Sequence, residues 1–453
     1  MHISASCTRG GQVATTRMTQ PILGSGMIPI FKKNRPKPAG ANHLRRGPVH
    51  VLNEVPPMRQ RPVSRRIHHP NVSIIIMKDR LAHLALLVAL LVALTPIVSH
   101  AQRTERTFKV TPGKQLSIDL RTGGEITIIG WDKNEVSATV DRDGWDADGV
   151  DIDIDERKSG IYIHADYTGG YRHRGGDLTL EVHVPHRFDV DVETMGGDLT
   201  IRGVEGELDG RTMGGDLSLS GLKGTIDLTT MGGEIELTDS EVDGTVHTMG
   251  GEVLIEDVTG NVKGTTMGGE VTYRNVHTGA DGGEVRVKTM GGDINVDDAG
   301  AGANVHTMGG DIHVHSAADH VKAKTMGGDI DVDRIDGWIE ATTMGGDIDV
   351  KMVGDAATGD RHVELTSMGG DVELTVPAGL SMDIDIELVY TRDARRNYRI
   401  ESDFDIKKER TTEWEYHDGD ARKYIYGTGK IGGGKNAVHI KTTNGNVILR
   451  RGS

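Results

Sequence analysis

Residues 307–329 read Thr-Met-Gly-Gly-Asp-Ile-His-Val-His-Ser-Ala-Ala-Asp-His-Val-Lys-Ala-Lys-Thr-Met-Gly-Gly-Asp, so a five-residue phrase returns after 18 positions. The phrase Thr-Met-Gly-Gly-Asp/Glu occurs ten times between Thr194 and Asp371, once with Ser367 in place of Thr. Its methionines are Met195, Met213, Met231, Met249, Met267, Met290, Met308, Met326, Met344 and Met368, at spacings of 18, 18, 18, 18, 23, 18, 18, 18 and 24. A period this short and strict predicts a solenoid, in which a repeat can bury its apolar face only against its neighbours.

The residues between the phrases say which kind. Apolar side chains stand four and six positions after each Met, as in Leu199 and Ile201 or Ile348 and Val350, with polar residues between them. That is the alternation of a strand. A second alternating run leads into the next Met, as in Ile226-Asp227-Leu228 and Val321-Lys322-Ala323. No proline occurs from Asp191 to Asp371, which suits interior strands that must each donate an N–H. The expected fold is all-β: a parallel β-solenoid, or single-stranded β-helix, of 18-residue coils, right-handed by the usual rule for parallel crossovers, with irregular β caps at both ends.

Outside the array the text changes. Residues 1–76 hold nine of the 13 prolines, several basic pieces and one acid, Glu54, and predict a disordered or non-native leader. Residues 77–101 run from Met77-Lys78-Asp79-Arg80 through an apolar stretch, Leu84 to Leu94, to Ser99-His100-Ala101. This is the pattern of a secretory signal peptide cleaved after Ala101, the alternative being an uncleaved membrane anchor. Residues 102–190 are irregular but β-rich and predict an N-terminal cap; residues 191–371 are the array; residues 372–453 predict further strands and a C-terminal cap. Worn copies of the phrase stand at Arg121-Thr122-Gly123-Gly124-Glu125 and at Thr443-Asn444-Gly445-Asn446.

Removing residues 1–101 leaves 38 Lys and Arg against 65 Asp and Glu, a formal charge of −27, and no cysteine, since Cys7 is the only one. Such a surface repels nucleic acid and anionic membranes and attracts cations and basic partners.

The phrase Thr-x-Gly-Gly-Asp followed by alternating Val/Ile, entered through strands ending at Val184-Pro185 and Val376-Pro377, resembles the bacterial adhesin-like family known as domain of unknown function 4097. The resemblance spans about Leu116 to Leu449. It implies an exported, adhesin-like β-solenoid and supplies no catalytic residues.

Four columns carry the candidate chemistry. Inward parity flips between the incoming and outgoing runs, and the glycines are the natural place for that corner: Gly196, Gly214, Gly232, Gly250, Gly268, Gly291, Gly309, Gly327, Gly345 and Gly369, each with the glycine after it. A flip there points Thr inward and Met outward, while the preference of thioethers for burial pulls the Met column the other way. The carboxylates three positions after Met form a ladder, in which Asp293, Asp311, Asp329 and Asp347 are the candidate divalent-cation ligands; the alternative is hydrogen bonding to turn amides. An outward Met column near His247, His306, His313, His315 and His320 would suit copper. The two insertions, Tyr273 to Gly283 and Val353 to Arg361, are where a polysaccharide-active enzyme would break the repeat, and neither holds a nucleophile and base. The expectation is therefore an exported non-enzymatic scaffold, periplasmic or at the cell surface, with no cofactor beyond a divalent cation. Its partner would be an envelope protein or surface glycan, and it would touch membrane only through an uncleaved anchor.

Overall fold

The computed structural model describes residues 102–143, 149–168, 177–277, 283–394, 397–417 and 420–452. Residues 1–101, with the leader and signal-peptide assignments, lie outside the described residues. Among those described there is no α-helix, and 31 strands join into one hydrogen-bonded system.

Two ladders of parallel strands run the length of the array. One stacks the strands that follow Gly-Gly-Asp, the other the strands that lead into Thr-Met. Strand Ile312–Lys324 lies in both ladders and pairs with Ile330–Thr343: Ile312 sits beside Ile330, Val314 beside Val332, Val321 beside Ile339 and Ala323 beside Ala341. Each pair is 18 residues apart, so identical columns stack on one another. Where the sequence inserts residues the register absorbs them, because Val271 pairs with Ile294 across the longer 23-residue interval and Ile348 with Val372 across the 24-residue one. The stack continues across both insertions.

The core is the space between the two ladders. Ile312, Val314, Val321 and Ala323 are at most 3% exposed, and each neighbouring layer repeats the arrangement. A fully buried aliphatic side chain is worth roughly 1.5–3 kcal/mol, so small Val, Ile and Leu residues suffice if every layer contributes several. One large ring interrupts the pattern: Tyr273, 1% exposed, fills the room left by Gly264 in the facing ladder. Its hydroxyl accepts the Gly264 N–H at 2.6 Å and lies 3.0 Å from the Val262 carbonyl, to which it donates.

In the first five repeats a second bend lies eight residues after Met. There Gly203, Gly221, Asp239, Asp257 and Asn275 all take left-handed backbone with φ between 48 and 66°. Gly, Asp and Asn are the residues that reach this region at least cost.

The worn phrases do not end the stack. Strand Gln115–Leu120 pairs in parallel with both Gly160–Tyr167 and Asp189–Thr194, so the first unit in sequence is the second in space. Likewise Asn436–Thr443 slots between Val363–Ser367 and Met382–Thr391. Antiparallel strands then cover the ends: Glu135–Asp143 and Gln102–Lys109 at one, Asp420–Ile431 and Lys407–Arg410 at the other. Open parallel edges would otherwise invite pairing with another chain.

Candidate functional site

The repeated phrase builds one continuous bend along the array, and each of its positions has a separate physical task. Thr194, Thr212, Thr230, Thr248, Thr266, Thr289, Thr307, Thr325, Thr343 and Ser367 are all at most 3% exposed. Their hydroxyls form a spine. Thr325 Oγ1 donates to the Gly310 carbonyl of the preceding layer at 2.9 Å and accepts the Gly328 N–H at 3.3 Å. Thr343 does the same with Gly328 and Gly346, and Ser367 with Gly346 and Gly370. The substitution at Ser367 keeps the hydroxyl, the one group the spine needs. Sequence reasoning turned the threonines inward but missed this bond; Ser367 was the available signal.

Of the two glycines expected at the corner, the second has the stricter requirement. A Cβ on Gly268 or Gly309 would come no closer than 3.5 or 3.7 Å to any atom, and Gly196 and Gly214 have nothing within 4 Å. Among the first glycines named as corners only Gly196 has positive φ; Gly232, Gly250, Gly291, Gly327, Gly345 and Gly369 also leave ordinary or slightly tight room, 3.3–3.8 Å. The second glycine is different. A Cβ on Gly269, Gly310, Gly328 or Gly346 would lie 2.1 Å from the carbonyl oxygen of the equivalent glycine one layer back. Close approach of stacked backbones fixes this column; only Gly197, at its start, has left-handed φ as well. Parity flips at Met and the first glycine, which both face outward, before the second glycine turns in.

The methionines are outside. All ten are between 37 and 58% exposed, and they follow one another layer by layer along the bend. Thioethers prefer burial, and nothing in the backbone geometry of the bend calls for one.

The acidic ladder lies beside them. Asp293 Oδ1 accepts the Asp311 N–H at 2.8 Å, Asp311 that of Asp329 at 2.8 Å, Asp329 that of Asp347 at 2.7 Å, and Asp347 that of Asp371 at 2.7 Å. Each carboxylate therefore holds the amide of its own successor. Glu270, a methylene longer, instead accepts from Thr272 Oγ1 and Asn295 Nδ2.

The five histidines singled out above have separate surroundings. His247 is bonded to Thr265 Oγ1, and His320 lies between Glu284 and Asp319. Burial, with the ammonium groups of Lys288 and Lys324, holds His306 below the usual imidazole range. Only His313 and His315 converge, on Asp333.

Of the insertions, the first borders a cleft of about 370 Å³ lined by Asn261, Lys263, Tyr273, Val276, Glu284 and Arg286. Its residues 278–282 lie outside the described residues. The second is folded around Arg361, whose side chain is 3% exposed and whose guanidinium donates to the carbonyls of Val353, Asp355 and Thr358 and pairs with Asp336. That is a loop anchor.

No curated protein matches the chain. Solved structures that resemble it include a candidate cell adhesion protein of Clostridium sporogenes ATCC 15579, at 7% identity over 78% of this chain and 100% of that one, TM-score 0.15. Two from Parabacteroides distasonis ATCC 8503 each cover 61% of this chain and 98% of their own: a candidate adhesin at 12% identity, TM-score 0.31, and a candidate lipid binding protein at 13%, TM-score 0.29. None is near enough to transfer a role. The family described as Toastrack DUF4097 matches residues 96–450, the span over which the two ladders and their end strands are built, and the chain belongs to that family.

Proposed function

We propose that the chain is an exported, non-enzymatic, adhesin-like scaffold of the cell envelope, in which each 18-residue repeat forms one coil of a right-handed solenoid. The observation that carries this reading is the methionine column: ten exposed thioethers in line on a stack whose backbone geometry does not call for them. An exposed apolar stripe rimmed by carboxylates is the composition of a binding surface. Both insertions support a passive framework, since Tyr273 and Arg361 are spent on backbone hydrogen bonds. The Met77 to Ala101 pattern supports export, and among the described residues no helix is long and apolar enough to cross a membrane. The partner in this reading is an envelope protein or a surface glycan.

Cells that produce the chain and cells with its gene deleted are compared for attachment to glycan-coated and envelope-coated surfaces. A variant carrying Met249, Met267, Met290, Met308 and Met326 all changed to Thr, the residue at the same place in the worn copy Thr122, is included. The proposal expects deletion and variant to lose attachment while the variant's melting temperature is kept. Equal attachment by all three contradicts it.

A further inference from the structure

His313 and His315 are two apart on strand Ile312–Lys324, so both point outward from the same face. In the next layer Asp331 pairs with His313, and Asp333, two residues on, reaches the His315 ring. Asp333 Oδ2 lies 2.9 Å from His315 Nδ1 and 3.4 Å from His313 Nε2. One ligand atom from each of the three residues falls within 4.8 Å of the others. Tetrahedral zinc with bonds of 2.0–2.1 Å sets its ligand atoms about 3.3 Å apart, so small rotations of exposed side chains would close the cage.

We propose that His313, His315 and Asp333 form a site for a borderline divalent transition-metal ion such as Zn²⁺. Two imidazoles and one carboxylate select this class over Ca²⁺, which takes oxygen ligands in larger number. Three protein ligands leave one tetrahedral position facing solvent, where water or a side chain of a partner would bind. The surroundings favour a cation. A groove of about 300 Å³ beside the site is lined by His313, Asp331, Asp333, Asp349 and Glu373, with Lys351 the basic residue among its lining. The site is independent of the methionine column and of the amide-bonded carboxylates Asp293, Asp311, Asp329 and Asp347, and it does not rest on the adhesin reading.

Isothermal titration of the full chain with Zn²⁺ tests the assignment, alongside the double variant His313→Asn/His315→Asn and the single variant Asp333→Asn. The expected result is one saturable Zn²⁺ site that persists in millimolar Ca²⁺, is lost in the double variant and is weakened in Asp333→Asn. All three residues are 43–55% exposed, so metal-free melting temperatures of the variants should not fall below that of the parent, which separates lost binding from lost folding. Absence of saturable Zn²⁺ binding, or the same stoichiometry and affinity in the double variant, overturns the proposal.

Discussion

The Thr325 hydroxyl donates to the carbonyl oxygen of Gly310, 2.9 Å away in the preceding layer, and so ties two repeats together through a side chain buried from solvent. Because the same hydroxyl accepts the Gly328 N–H, it satisfies one donor and one acceptor that the bend leaves without strand partners. Repeated layer by layer, this bond gives the array a polar seam inside an otherwise aliphatic core.

Thr325→Val keeps the shape of the side chain and removes the hydroxyl, leaving the Gly310 carbonyl and the Gly328 N–H without it. A buried unsatisfied polar group costs about 1–3 kcal/mol, and the expected loss is of that order, read as a lower urea midpoint. Thr325→Ser, which reproduces the natural Ser367, should lose less than about 1 kcal/mol. Equal loss in both would show that packing of the methyl, not the hydrogen bond, holds the seam.

The two glycines of one phrase should respond unequally. Gly310→Ala forces a methyl to within 2.1 Å of the Gly292 carbonyl, whereas the nearest atom to a methyl on Gly309 is 3.7 Å away. Overpacking of this kind costs about 1–3 kcal/mol, with backbone as the obstacle placing it at the upper end. Gly309→Ala is expected to shift the thermal midpoint very little.

The acidic ladder separates charge from hydrogen bonding. Asp311→Asn keeps an oxygen for the Asp329 N–H, while Asp311→Ala removes it. The expected order of thermal stability is Asn at or above Asp, with Ala below both by about 1 kcal/mol. If Asn is as damaging as Ala, the carboxylate charge itself is needed.

A pH effect should come from Asp331 and Asp349. Both are pushed above the ordinary carboxylate range, by burial first; then Asp329, Asp333 and Asp311 act on Asp331, against the opposing pull of His313, and Glu373, Asp331 and Asp333 on Asp349. An acid whose folded pKa exceeds its unfolded one binds its proton more tightly when folded, so stability is highest below the unfolded value of 3.8 and declines as pH rises through the folded one. Asp349→Asn should therefore melt higher than the parent at pH 7 in chelator, and the difference should vanish below about pH 4. A difference that is the same at both pH values would trace to something other than titration.

Much of the architecture was written in one dimension. The alternation around Ile312 and Val314 and the inward Thr follow from counting parity through a strict repeat, whereas for the Met column parity pointed outward and the thioether's preference for burial pointed inward. What was hidden depends on which atoms meet between layers. Gly309 and Gly310 are identical in sequence, and only the approach of stacked carbonyls distinguishes them. The spatial order of the ends was equally hidden, because Gln115–Leu120 carries the same strand pattern whether it lies first or second in the stack. The pairing of His315 with Asp333 was open to arithmetic, since 333 is 315 plus the period of 18, but that sum says nothing until the register is known.

Every repeat of the array advances the stack by one strand spacing, whatever its length. With Cys7→Ser removing the only native cysteine, cysteine pairs at exposed methionine positions can carry nitroxide labels: 249 with 326, 213 with 326, and 195 with 344. These pairs are four, six and eight layers apart, and strand spacing places them at about 19, 29 and 38 Å. Double electron–electron resonance should give narrow distributions rising by about 4.8 Å per layer, with the 23-residue interval between Met267 and Met290 counting as one layer like the rest. Distances that scale with the number of residues, or broad distributions without that increment, would contradict the account.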